Sequence, residues 1–461
     1  MKLSTIKIYH LLFFLGMFFF PFNEYQGIPV LGEFAGESGA LFLFVGFIFL
    51  VIEWAKTKKI RIPYNNFIFQ LISFFLLWCI LSTLINLPIV IDSYFKHTGG
   101  INRFIRQYFA LLISSVIFFS LYWNVLIEME LKSILFKVRK TFLLSLIVAT
   151  VYGFLETLVS YFKIGSALPI LKIFDYFPFL EVSLHAEGRI SSISYEPPFF
   201  AIYLITIAGW MFSYIVTEKG ISKFIPTILV LILTFFSGSR TGLMVVFFQM
   251  FIFASVLYRD PEFKKYIVMS LVYFISLSSV LLLVNGNKIV KSISHKVESL
   301  DFKGNLKKNI SNKSRFGMQY ASLQVFKEHP LVGVGFGQQT YYSRLKYPYW
   351  ATSNNYEFAL WYKDKNDKTF PPGYNLYTRL LAETGIVGIL LFLALMYYSI
   401  KRARQLMKYK TGDEKTLATI IYISFIGLYL NWLQIDTFRI YGLWLSLAIL
   451  MRFSFNMKKH E

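Results

Sequence analysis

Three arginines in this chain stand where a cation needs an anionic partner. Arg240 lies in SGSRTGL, residues 237–243, a turn of small residues between two apolar runs. Charge so close to apolar segments is costly without a counter-charge. The small residues, Ser239 among them, let backbone approach a ligand, and the N–H groups opening the next helix suit an anion. Arg189 sits in GRISSISYEPPFFAIYL, residues 188–204, just before another apolar run. Its plainer reading is an interfacial arginine that snorkels. Arg315 opens the stretch NKSRFGMQYASLQVFKEHPLVGVGFGQ, residues 312–338. Guanidinium forks match phosphate oxygens, so the three are suited to surround a phosphate or pyrophosphate.

Other groups offer less. Glu196 stands directly before Pro197 and Pro198, which open a helix, and a carboxylate there is also a natural cap. His329 precedes Pro330 and reads first as a turn residue. Gly333, Gly335 and Gly337 alternate, which lets backbone lie close to something. GYNLYTRLLAETGIVG, residues 373–388, places Tyr374 and Asn375 at the mouth of a span. Arg379 and Glu383 follow at i and i+4, a spacing at which they neutralise each other. There is no acidic cluster with metal-ligand spacing, so Mg²⁺ dependence is not indicated. No cofactor is expected.

The elements that position these residues are apolar. The chain has 461 residues, 56% hydrophobic, with 50 Phe. A soluble domain is about 45–50% apolar and lacks repeated runs of 18 or more apolar residues. The class is therefore an all-α polytopic membrane protein; a β-barrel would show alternating ten-residue segments. About twelve spans can be drawn, near residues 8–22, 36–54, 64–88, 104–126, 141–162, 197–216, 224–237, 241–258, 266–285, 376–400, 417–435 and 439–456. The run from Tyr9 to Pro21 lacks a cleavage site and reads as a retained first helix. Cys79, the single cysteine, lies in an apolar run and excludes a disulfide framework. Three segments result: helices over 1–285, a large polar loop over 286–375, and helices with a tail over 376–461. Within the loop, residues 314–328 read as an amphipathic helix carrying Phe316, Tyr320, Leu323 and Phe326 at helical spacing.

The net charge of +21 would suggest nucleic acid in a soluble protein. Here basic residues in short loops set topology instead. Lys56, Lys58, Lys59 and Arg61, then Lys132, Lys137, Arg139 and Lys140, then Lys401, Arg402, Arg404 and Lys408 fall on alternate loops. Both termini are thus expected in the cytoplasm, and the 286–375 loop outside. The four unusual motifs all land on the outer face. A dinucleotide reading of the alternating glycines would face the wrong compartment and follows no strand.

At these residues the sequence resembles the O-antigen ligase / O-antigen polymerase superfamily of bacterial envelope glycosyltransferases. The likeness rests on SGSRTGL, on HPLVGVGFG after an Arg-led helix, on YNLYTRLLAETGIVG, and on the twelve-span layout with one late outer loop. It implies a GT-C-like, metal-independent, inverting transferase in the bacterial inner membrane. The donor would be a glycan on undecaprenyl pyrophosphate. Arg240 and Arg315 match arginines that bind the pyrophosphate and stabilise its departure, a step cations assist strongly; Arg189 matches a basic position in the same cavity. Ser239, Gly335, His329 and Asn375 would complete the binding site. Ligases of the superfamily carry a histidine where this chain has Tyr374. A phenol with a pKa near 10 is a poor base at neutral pH. That favours a polymerase, with Glu196 the first candidate base and His329 the second. The partners implied are lipid-linked oligosaccharides as donor and acceptor, the bilayer, and a chain-length regulator and flippase of the same pathway. Nucleic acid is not expected. The competing readings are a ligase acting on lipid A-core, a transporter with Glu156 as its midspan charge, and a non-catalytic scaffold.

Overall fold

The computed structural model describes residues 7–24, 27, 29–59, 61–184, 189–261, 263–265, 310–364 and 369–457. The expected span at 266–285 and loop residues 286–309 lie outside them. A membrane leaves each backbone to satisfy its own hydrogen bonds, and a helix does so within one segment. The longer helices are α1 (Ile8–Phe18), α2 (Ser38–Thr57), α3 (Phe67–Ile85), α4 (Gly100–Ile127), α5 (Leu131–Ser160), α6 (Pro197–Thr217), α7 (Ile221–Phe236), α8 (Arg240–Tyr258), α9 (Ile310–Glu328), α10 (Leu376–Tyr409), α11 (Gly412–Asn431) and α12 (Tyr441–Met457), with shorter turns between them, among them Tyr356–Phe358 continued by Ala359–Lys363. Seven of them, α2 to α6, α8 and α10, are long and apolar enough to cross a membrane, and α1, α7 and α12 are shorter apolar helices. Eleven of the twelve expected spans fall on these helices. The chain is an all-α polytopic membrane protein. Its one described ladder is the pair Tyr94–Phe95 with Thr98–Gly99.

Helices apolar on every side belong in the centre. So α6 and α12 are buried on nearly all faces. Outer helices turn large apolar side chains outward instead. Phe74, Leu77 and Leu81 on α3, and Met244, Phe247 and Phe251 on α8, are exposed. Such contiguous apolar faces suit lipid rather than water.

A break in α10 organises the loop side of the molecule. Gly385 there has φ 63° and ψ −164°. A break frees carbonyls that a straight helix would use, and each is taken up. Val334 N–H donates to the Ala382 carbonyl at 3.0 Å and Gly335 N–H to the Glu383 carbonyl at 2.9 Å. Trp78 Nε1 donates to the Thr384 carbonyl at 2.8 Å, and Ser82 Oγ reaches the Val332 and Glu383 carbonyls at 2.8 and 2.9 Å. Gly333 and Gly335 therefore lie close to the α10 backbone, while Gly337 lies against Arg103 and Gln107 of α4. A Cβ on Gly333 would sit 2.4 Å from the Glu383 carbonyl carbon.

The loop helix α9 begins earlier than the pattern predicts and turns the other way. Ser314, Gly317, Met318, Ala321, Ser322 and Val325 form its buried face. Tyr320 and Leu323, expected on the packed stripe, are exposed. The reason is close packing: a Cβ on Gly317 would meet the Ala351 Cβ at 2.5 Å. Only the small-residue side lets the following segment approach so near.

A side chain at Gly385 would combine a left-handed backbone with a Cβ 2.3 Å from the Leu331 carbonyl oxygen. Gly412 has φ 55° with nothing within 4 Å of that position. Gly385→Ala should therefore cost more than the ~1–3 kcal/mol of the backbone strain alone, and Gly412→Ala no more than that. Melting temperatures of the two variants in detergent test this; equal losses would refute the crowding at the break.

Candidate active site

The sequence candidates gather into two groups. The first is built on the chain before α6. Glu156, buried in α5, accepts the Ser191 and Ser192 N–H groups at 3.2 and 2.8 Å. It anchors the 189–194 segment, which explains its place better than ion transport does. Ile190 N–H then donates to the Phe236 carbonyl at 3.2 Å, and Arg189 Nε to the Ser237 carbonyl at 3.4 Å. Arg189 thus lies along the SGSR turn, its Cγ 2.9 Å from where a Gly238 Cβ would stand. Ser239 caps α8 by accepting the Gly242 N–H at 3.2 Å. Arg240, the first residue of α8, is exposed. Two cations and a helix N-terminus meet here, an arrangement suited to an anion.

Glu196 opens α6 without a side-chain cap bond and is exposed, so its capping role is not realised. Its neighbour Tyr195 is held by Asn23, which accepts the Tyr195 N–H at 2.6 Å. A small cleft of about 40 Å³ lies beside this helix start, between Asn23, Phe199, Glu37 and Arg439. A larger cleft of about 900 Å³ lies away from every candidate residue, at Arg61, Glu128 and Phe455.

The second group surrounds Tyr374. Arg315 places its guanidinium 5.3 Å from the Tyr374 ring centre, and Trp361 packs on the same ring at 5.6 Å. The segment carrying Trp361 is tied to α9. Asn355 Nδ2 donates to Ser314 Oγ at 3.0 Å, and Lys313 Nζ to the Ser353 carbonyl at 3.2 Å. These bonds set residues 353–357 beside the first turns of α9. Burial first, then the charge of nearby Glu357, pushes the Tyr374 phenol well above its ordinary value of 10.0; Arg315 opposes this only in part. The phenol stays neutral at physiological pH.

Other expected site residues serve the structure. Asn375 caps α10, accepting the Thr378 N–H at 3.1 Å and donating to the Leu433 carbonyl at 3.1 Å. Gly335 is committed to Glu383. His329 ends α9, packs edge-on against Tyr342 at 5.6 Å, and lies roughly 20 Å along the helix from Arg315. It is the turn residue that its position before Pro330 implied, and it does not join the Tyr374 group.

Arg379 and Glu383 do pair, at 3.1 Å and fully buried. The pair is the centre of a wider cluster. Arg379 also donates to the Asp436 carbonyl at 2.7 Å and to Gln107 Oε1 at 2.9 Å, with the Asp436 carboxylate 3.7 Å away. Asp436 accepts the Gly373 N–H at 2.8 Å. This fixes the residue directly before Tyr374. Arg439 adds a pair with Glu37 at 3.0 Å and a bond to the Glu33 carbonyl.

Sequence reasoning missed Glu357, Trp361, Asp436 and the Glu33, Glu37 and Arg439 contacts. Glu357 and Trp361 lie in a Tyr- and Asn-rich stretch without a motif. Asp436 falls in the short gap between the last two expected spans and Arg439 opens the second of them, where two charges in so apolar a region were the available signal. Among the described residues no group of His, Cys, Asp and Glu is placed to hold a metal ion.

Removing Arg379 alone would leave the buried Glu383 carboxylate without its paired cation and the half-buried Asp436 without its contact, a loss of about 3–5 kcal/mol. Arg379→Leu should therefore melt well below wild type, and Arg379→Leu with Glu383→Leu should recover part of the loss. A double variant melting below the single one would contradict a charge-balancing role.

No curated protein matches the chain. Residues 225–393 match the family model described as O-antigen ligase, a stretch that contains Arg240, Arg315, Glu357 and Tyr374. The chain is thus a bacterial integral membrane protein carrying an O-antigen ligase family domain over residues 225–393, in keeping with the O-antigen ligase / O-antigen polymerase superfamily.

Proposed function

We propose that the protein is a polysaccharide polymerase. It transfers a growing glycan from undecaprenyl pyrophosphate to the non-reducing end of a lipid-linked repeat unit, with inversion at the anomeric carbon. The reaction takes place on the outer face of the inner membrane, with both termini in the cytoplasm. Arg240, with Arg189 beside it, and Arg315 carry the charge that develops on the departing pyrophosphate. The observation that carries this reading is the Arg315–Tyr374 stack at the mouth of α10. A cation stands there against a phenol that stays protonated, and a protonated phenol supplies no histidine-like base.

The second reading is a ligase that passes the same glycan to lipid A-core. The description of the matching family favours it. The two differ in the acceptor, so the glycan profile of a deletion strain separates them. A polymerase mutant keeps core carrying a single repeat unit and loses the longer rungs. A ligase mutant still makes polymer, which stays on undecaprenyl pyrophosphate. An unchanged ladder would count against both.

Arg240→Ala should lower turnover by about 10²–10³-fold, the usual loss for one group that stabilises developing charge, at normal membrane abundance. Tyr374→Phe should stay within about fivefold of wild type, with no alkaline limb lost between about pH 7 and 9 because the native phenol does not ionise there. Elongation assays on purified variants decide this. A Tyr374→Phe enzyme as inactive as Arg240→Ala would make the phenol a participant.

A further inference from the structure

Two buried ionic atoms near Tyr374 have no hydrogen-bond partner among the described residues: Nε of Arg315 and Oε2 of Glu357. Among the described residues neither side chain forms an ion pair, with the other or with any third group. A buried polar atom left so costs about 1–3 kcal/mol, and more when charged. Such atoms ask for an explanation. The surroundings bring the two together. Ser314 and Asn355, bonded at 3.0 Å, hold the turns that carry them side by side. Arg315 stacks on Tyr374, and Trp361, one helical turn beyond Glu357, packs on the same ring.

The polarity of the two atoms selects the ligand. Nε–H is a donor only, and an ionised carboxylate oxygen is an acceptor only. An anion alone would suit Arg315 and be repelled by Glu357; a cation would meet the reverse. A neutral hydroxyl both accepts and donates, so it satisfies the two at once. Tyr374 and Trp361 add flat apolar walls for the C–H face of a sugar ring.

We propose that Arg315 and Glu357 hold the attacking hydroxyl of the acceptor sugar between them, and that Glu357 is the general base. This rests on the transferase reading above. The hydroxyl oxygen accepts from Arg315 Nε and donates to Glu357. As it bonds to the anomeric carbon, its proton passes to the Glu357 carboxylate. The bond from that carbon to the pyrophosphate oxygen breaks, and its electron pair leaves with the pyrophosphate. Glu357 then gives the proton to solvent and is restored. Arg315 has further N–H groups on its terminal nitrogens, which remain for the pyrophosphate. Neither Glu196, exposed at the start of α6, nor His329, at the far end of α9, shares this environment.

The test is elongation of lipid-linked repeat units by purified protein in lipid nanodiscs. General-base catalysis is worth about 10²–10⁴-fold. Glu357→Gln should therefore lose about 100-fold or more in kcat, with acceptor KM within about threefold and the acidic limb of the pH profile gone. Glu357→Asp should retain a measurable part of the rate and keep that limb. A Glu357→Gln enzyme within about threefold of wild type overturns the proposal while leaving the transferase reading intact. Equal loss in both variants together with a lowered melting temperature also overturns it, since that is a packing role. A wild-type protein that elongates nothing rejects the polymerase reading, and this assignment with it.

Discussion

A guanidinium buried in a membrane protein can remain only where its charge is balanced and its N–H groups are used. Arg379 meets both conditions, and the rest of the site side depends on how. Its partners come from its own helix, from the 436 turn between α11 and α12, and from Gln107 on α4. Two separate stretches, the 436 turn and α4, are thereby pinned to the start of α10. Asp436 then holds the Gly373 N–H, so the chain entering α10 has one path. Tyr374 follows with φ 59°, a left-handed backbone that a non-glycine residue adopts only under constraint. The ion cluster is thus a mount for the Tyr374 ring.

The break at Gly385 extends the same logic. It frees the carbonyls of Ala382, Glu383 and Thr384, and the 332–335 loop and α3 consume them. The loop that follows α9 is thereby fixed to α10, and α9 with it. The position of Arg315 depends on two independent ties, one through this loop and one through Ser314 and Asn355. Backbone hydrogen bonding and charge balance, rather than apolar burial alone, set the geometry around Tyr374.

What was legible in the sequence follows from range. Spans were legible because about twenty apolar residues carry their own signal. Ser239 was legible as part of a small-residue turn, and Arg379 with Glu383 because i,i+4 is local. Asp436 was not, since it meets Arg379 only across 57 residues of chain. The face of α9 was misread for a different reason. Hydropathy weighs Phe316, Tyr320 and Leu323 heavily, yet close approach selected Ser314, Gly317 and Ala321, which carry almost no apolar signal. The alternating glycines permit close approach, and it is protein that approaches each of them: α10 at Gly333, residues on and after α3 at Gly335, and α4 at Gly337.

The two groups of cations have different supports, and that difference bears on the proposed chemistry. Arg189 and Arg240 lie at the junction of α7 and α8, beside a capped helix N-terminus whose dipole adds to their charge. Two guanidinium groups and a helix N-terminus suit an anion, as a pyrophosphate requires. Arg315 instead shares its surroundings with a carboxylate, a neutral phenol and an indole, a mixture that suits a polyhydroxylated neutral molecule beside the phosphate oxygens. A glycosyl transfer must accommodate both kinds of group, a charged leaving group and an uncharged nucleophile. The arginines at the α7–α8 junction suit the leaving group, and the mixed polarity around Arg315 suits the nucleophile while its terminal N–H groups remain for the pyrophosphate. On this view the substitution of a neutral Tyr374 at the mouth of α10 leaves the proton to be taken by a carboxylate on the loop.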